Sequence, residues 1–106
     1  MNKLAEGDKK EIVQRIIRNL LDVQLMRLVR IEPIWGYKIT QRIKADFDVT
    51  IRHGSLYPML IQLEEKGFLK SERQRHGRRI RRVYTLTSRG EEYLEAYAQV
   101  LEEQLK

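Results

Sequence analysis

A mainly α-helical fold with one small β-hairpin is what the sequence predicts, and three observations carry that expectation. Apolar residues recur at three- and four-residue steps in four stretches, about residues 9–31, 36–46, 54–66 and 87–105, the period of an amphipathic helix. Between the third and fourth stretches, residues 68–75 and 80–87 read as two strands around a turn at Arg75-His76-Gly77-Arg78. The hairpin also holds the charge. Lys70, Arg73, Arg75, Arg78, Arg79, Arg81 and Arg82 face a single acid, Glu72, so residues 70–82 account for the whole net charge of +6.

At 106 residues the chain reads as one domain, 1–106, with a small core. It has no cysteine, and two histidines, His53 and His76, cannot make a structural zinc site, so neither metal nor cofactor is expected. No apolar run approaches the roughly 18 residues that span a bilayer, and no signal-peptide core begins the chain. The expectation is a cytoplasmic, nucleoid-associated protein with no membrane partner.

Residues 1–8 are expected to fray. From Lys9 to Ile31 no Pro or Gly intervenes, and one long helix is predicted. Its apolar residues, among them Ile12, Val13, Ile16, Ile17, Leu20 and Leu21, cover too much of the circumference for one small core. One side should pack on the domain and the other on a partner; a single wide core face is the plainer alternative. Pro33 and Gly36 break the chain, and a second helix follows from Gly36 to Asp46. Ile39, Ile43 and Phe47 line its inner face, while Lys38, Gln41, Arg42 and Lys44 point outward. Trp35 is expected to plug the seam between first and second helices, the alternative being stacking on a planar ligand. Tyr37 is either a core residue or a phosphate contact. Val49–Ile51 can form a short strand.

The stretch from His53 to Leu69, HGSLYPMLIQLEEKGFL, is the one the rest serves. Leu56, Met59, Leu60 and Leu63 share one helical face. Pro58 is tolerated only near a helix start, so the helix should begin near residues 53–55 with Ser55 or a neighbour as cap. Gly67 supplies the stop. A short helix with a greasy back and an exposed N-terminal end can enter a DNA major groove end-first. Glu65 would face phosphates unfavourably, which confines base contacts to the first two turns.

In the hairpin, Ile80, Arg82, Tyr84 and Leu86 share one face, and Tyr84 and Leu86 suit the core. The arginines near the tip then project as a wing, suited to bidentate phosphate contact. Thr87 should cap the last helix, 87–105, with Glu91 and Glu92 in its first turn. Tyr93, Leu94, Tyr97, Val100, Leu101 and Leu105 form an apolar stripe with no later element to cover it. A two-fold dimer through the first and last helices, including Ile16 and Leu20, is the simplest closure.

Arg52–Leu69 (with GSLYPxLxxLExxG), Arg82–Gly90 (RVYTLTSRG) and Pro33–Ile39 (PIWGYKI) together resemble the PadR family of winged-helix transcriptional regulators. The resemblance spans roughly residues 21–106. It implies a winged helix-turn-helix fold, a homodimer built through the C-terminal helix, and in general repression. Some members respond to phenolic compounds or drugs at the dimer interface, which implies a small aromatic effector. Tyr93 and Tyr97 are on the last helix here, but no tryptophan is.

Catalysis is disfavoured: no phosphate-binding glycine loop is present, and His53 and Ser55, two apart, do not face each other on a helix. The expected function is sequence-specific binding of double-stranded DNA. Arg52, His53, Ser55 and Tyr57 would read bases, and Tyr37, Lys38, Arg42, Arg75, Arg78, Arg79, Arg81 and Arg82 would hold the backbone. A sequence-independent architectural DNA binder and a winged-helix protein-interaction module are the alternatives. The dense like charge of the wing speaks against the second.

Overall fold

The structure, a computed structural model, describes residues 4–106 as five helices and a three-stranded antiparallel sheet. Of the expected fraying over residues 1–8, residues 1–3 lie outside the described residues, and the first helix already begins at Glu6.

Two helices replace the single one expected over 9–31. They are α1 (Glu6–Asn19) and α2 (Leu21–Ile31), joined at Leu20, whose φ of −114° and ψ of 41° leave the helical region. Short polar side chains compete for backbone groups at this joint. Asn19 donates its amide to the Arg15 carbonyl at 2.9 Å, and Asp22 accepts the Val23 N–H at 2.8 Å. The two halves then pack on different neighbours. α1 lies against α3 (Gly36–Phe47), where Gln14 donates to the carbonyls of Phe47 and Asp48. α2 lies under the sheet with Leu21, Val23, Leu25, Met26 and Val29 buried. The apolar surplus therefore sits on α1, where Ile12, Val13 and Ile16 are exposed.

Ile34–Trp35 forms a two-residue strand, β1, paired with Tyr84 and Val83 of the hairpin. Because β1 takes that sheet edge, the strand expected at Val49–Ile51 does not form. Val49 is instead a fully buried plug, placed by the left-handed Asp48 (φ 56°) that ends α3. Strand alternation also corrects the role of Trp35. Ile34 points into the core, and Trp35 points away from it rather than into a seam between helices.

The helix α4 (His53–Glu65) buries Leu56, Leu60 and Leu63 as expected. Gly67 ends it at φ 82°, with its N–H on the Glu64 carbonyl at 2.9 Å and the Phe68 N–H on that of Leu63 at 3.0 Å. The helix starts at His53, within the expected range, but its cap differs from expectation. Arg52, not Ser55, occupies the cap position, and no side chain caps the helix. Pro58 lies inside α4, and its missing N–H leaves the Gly54 carbonyl without the usual donor.

β2 (Leu69–His76) and β3 (Arg79–Leu86) pair from Leu69↔Leu86 to His76↔Arg79, in a sheet ordered β1-β3-β2. The loop is thus two residues, Gly77-Arg78, tighter than the turn expected over 75–78. Gly77 has φ 63° at the first loop position, where two-residue hairpins favour glycine. Tyr84 is buried and Leu86 packs on the core.

Thr87 caps α5 (Ser88–Gln104), accepting the Gly90 N–H at 3.0 Å; Glu91, but not Glu92, is in the first turn. The Thr87 N–H reaches the Phe68 carbonyl at 3.1 Å, and its hydroxyl lies 2.6 Å from that of Gly67. The last helix does have partners within the chain, contrary to expectation, because α2 and Phe68 lie under its first half. Leu94 is buried, Tyr93 and Tyr97 pack on the core, and the Phe68 and Tyr93 rings stand 4.4 Å apart. The uncovered part is Val100, Leu101 and Leu105. Among the described residues no helix is long and apolar enough to cross a membrane.

Candidate nucleic-acid interface

With no side-chain cap, α4 leaves the His53 and Gly54 amides and the positive end of its dipole at the exposed surface, while the Ser55 N–H turns back to the Arg52 carbonyl at 3.0 Å. Arg52, His53, Gly54 and Ser55 are exposed there, and Tyr57 is 41% exposed. The four residues expected to read bases thus gather at one end of α4. Tyr57 is held in place. Its ring meets His53 edge-on at 5.6 Å, and a Cβ on Gly36 would come within 3.0 Å of its Cε1, so glycine lets the ring lie across the start of α3. Tyr37 is 44% exposed, 5.4 Å from Trp35 and 6.4 Å from His53 between ring centres. Its core alternative therefore falls, and it borders the α4 start.

Lys38 and Arg42 do not join this surface. Both pair with Glu32, at 3.9 and 3.4 Å, and Arg42 also reaches Asp46 at 3.9 Å. Residues 38, 42 and 46 form one helical stripe, while Tyr37, Gln41 and Lys44 form another that faces the residues before α4. Gln41 and Thr50 border that second groove, and no charge pattern in the sequence singles them out.

The wing divides its arginines. Arg75, Arg78 and Arg79 are exposed, and among the described residues no carboxylate lies within ion-pair distance of them. Arg73 shares that condition and stands opposite Arg82 across the hairpin; its alternation with Arg75 is the sequence signal that would include it. Arg81 and Arg82 do not project freely as expected. Because β1 brings Trp35 alongside Val83, the Arg81 guanidinium carbon lies 3.8 Å over the Trp35 ring, and its Nε is buried without a hydrogen-bond partner. Arg82 donates from Nη1 to the Ser71 hydroxyl at 2.8 Å, and that hydroxyl donates to the Glu64 carboxylate of α4. At the base of the wing, burial first and the Glu64 charge second raise the Tyr84 pKa above its ordinary value.

α4 and the wing form the walls of an open groove of about 460 Å³, bordered by Tyr57, Ile61, Glu64, Glu65, Arg82 and Tyr84. The groove itself carries two carboxylates against one guanidinium, so what suits a polyanion is the α4 start together with the exposed wing arginines beside it. A helix end can meet base edges in a major groove while unpaired arginines on an adjoining hairpin meet phosphates. Among the described residues, no three His, Asp or Glu side chains gather as a metal ion would require.

The sequence matches the family described as Transcriptional regulator PadR-like family over residues 25–96. Among curated proteins none matches it. Among solved structures, the smu.1704 protein of Streptococcus mutans UA159 is 32% identical over 80% of this chain and 78% of its own, with a TM-score of 0.69. A PadR family transcriptional regulator from Eggerthella lenta is 29% identical over 94% of this chain and 90% of its own, with a TM-score of 0.72. Bacillus subtilis PadR, solved in complex with operator DNA, is 27% identical over 74% of this chain and 45% of its own, with a TM-score of 0.70. The family match runs from α2 into α5 and so takes in the α4 end and the wing: the chain belongs to the PadR-like family of transcriptional regulators.

Proposed function

We propose that this chain is a homodimeric repressor that binds double-stranded DNA by sequence and carries no catalytic activity. The observation that carries the reading is the exposed, uncapped α4 start beside a wing whose Arg75, Arg78 and Arg79 have no internal counter-ion. Bacillus subtilis PadR is solved with operator DNA, and we carry that class of partner over to this chain. Arg52, His53, Ser55 and Tyr57 then read base edges, and Tyr37 and the free wing arginines hold phosphates. Lys38 and Arg42 have a lesser part, since a phosphate must displace Glu32 from them. A nucleoid-associated place in the cytoplasm follows from such a partner.

A second copy covers the exposed apolar residues Ile12, Val13 and Ile16 of α1 and Val100, Leu101 and Leu105 at the end of α5. Leu20, Tyr93, Leu94 and Tyr97 support that interface mostly from inside their own chain. The Tyr93 ring is occupied by Phe68, which leaves Tyr97 to border a small aromatic effector between the subunits.

Selection of bound duplexes from a random pool tests the reading. A palindromic consensus with half-sites about one helical turn apart is the expected outcome. Retained binding with no enrichment would make the protein an architectural DNA binder.

A further inference from the structure

The geometry points to Ser71 and Glu64 as positioning residues that hold the Arg82 guanidinium over the groove between α4 and the wing, where a DNA phosphate meets it. The inference rests on the DNA-binding reading above. Arg82 is the one wing arginine, among the described residues, whose side chain makes a hydrogen bond. Its direction is informative. In the hairpin register Arg82 stands opposite Arg73 and Tyr84 opposite Ser71, so the side chain reaches diagonally back, away from the tip and toward α4.

Ser71 has one hydroxyl proton, and it goes to Glu64 at 2.8 Å from the farther carboxylate oxygen, which leaves the oxygen lone pairs for Arg82. No other side-chain hydrogen bond joins α4 to the wing among the described residues. Two consequences follow. The Glu64 charge, which by itself would repel a phosphate at this lip of the groove, is offset across the hydroxyl by the guanidinium. The guanidinium has five N–H donors and gives one to Ser71, so the rest stay free for a phosphate. A side chain already held loses less freedom on binding than a mobile one. The same chain of bonds fixes the distance between the base-reading element and the phosphate-holding one.

S71A tests this, because it removes a hydroxyl and no charge. The guanidinium NMR signal of Arg82 in the free protein should report greater mobility in S71A than in the wild type. Affinity for a duplex of mixed sequence should fall about two- to tenfold per subunit, the cost of ordering one long side chain on binding. In an R82A background, S71A should cost nothing further. E64Q keeps an acceptor for Ser71 while removing the nearby negative charge, so it should not weaken binding. If R82A weakens binding but S71A leaves it unchanged, the positioning role is overturned and the DNA reading stands. Tighter binding by S71A would mean that Ser71 withholds Arg82, which also overturns it. Failure of the wild type to bind any duplex removes the DNA reading and this inference together.

Discussion

Replacing Arg75, Arg78 and Arg79 by alanine should flatten the salt dependence of DNA binding without unfolding the protein. All three are exposed and none is paired with a carboxylate, so nothing in the fold depends on their charge. Each neutralised phosphate contributes about 0.9 to the slope of log affinity against log salt, so three contacts on each of two wings amount to roughly 5. Between about 50 and 200 mM salt, a slope of that size is worth a factor on the order of a thousand in affinity. Anisotropy titrations across a salt series, with operator and mixed-sequence duplexes, measure it. The triple variant should lose affinity for every duplex alike, whereas Ser55→Ala should lose it mainly for the operator and keep the slope. Arg81→Ala should give a third signature. Its guanidinium lies over Trp35, so the slope should hardly move while stability falls by about 1 kcal/mol. A triple variant with the full wild-type slope, or an Arg81→Ala variant that flattens it equally, would refute this division of the wing.

Gly90→Ala should destabilise the protein even though alanine normally favours a helix by about 0.5–1 kcal/mol over glycine. The new Cβ would stand 2.3 Å from the Phe68 carbonyl oxygen and 2.5 Å from Leu86 Cδ1, a clash that costs about 1–3 kcal/mol, to be read in denaturant unfolding; an unchanged midpoint would contradict the close packing. Val100→Glu with Leu101→Glu should give a folded monomer with a native mass of 12.7 kDa, because both residues are exposed in the single chain. A dimer that survives both changes places the interface elsewhere. Leu94→Glu is the contrasting control, since its site is buried and the chain itself should unfold. Asp48→Asn should matter at neutral pH and cease to matter in acid. Hydrogen bonding and charge from Lys44, then from Lys10, hold the Asp48 carboxyl below its ordinary 3.8, so its contribution is present above that value and lost as pH falls through the lower folded value. Asparagine tolerates the left-handed backbone, so unfolding curves of variant and wild type should differ above about pH 4 and converge below it. A difference that persists at the lowest pH would assign the effect to the backbone.

What the sequence made legible was whatever depends on one element at a time. The α4 core face, the Gly67 stop, the Thr87 cap and the charge of the wing all follow from spacing and residue chemistry within a dozen positions. The misjudged features depend on two elements meeting. The break at Leu20 has weak local causes, Asn19 and Asp22, and becomes visible once α1 and α2 are seen to serve different neighbours. Trp35 could be placed only with β1 known to pair with β3, and the same pairing took Arg81 out of the set of free cations. Lys38 and Arg42 were outward-facing, as read, but Glu32 arrives from the end of α2 to meet them. Leu94 looked unpartnered because Phe68 and α2, its cover, precede it in the chain by more than a helix length.

The bonds at Phe68 and Thr87 have a mechanical consequence. The residue that ends the turn after α4 and the residue that starts α5 share hydrogen bonds, and Gly90 packs so near the Phe68 carbonyl that a Cβ there would clash. The end of α4 and the start of α5 are thereby tied at one elbow, with α5 as the long arm. Over the 17 residues of α5, about 25 Å of arm, a tilt of about 10° swings one end by roughly 4 Å relative to the other. In a dimer joined at the far ends of α5, that swing changes the separation of the two α4 helices, against half-sites that recur about every 34 Å along B-DNA. In such a dimer the spacing an operator must have would follow from the angle at which two α5 helices cross. Side chains such as Val100 and Leu101, far from any base, would set it.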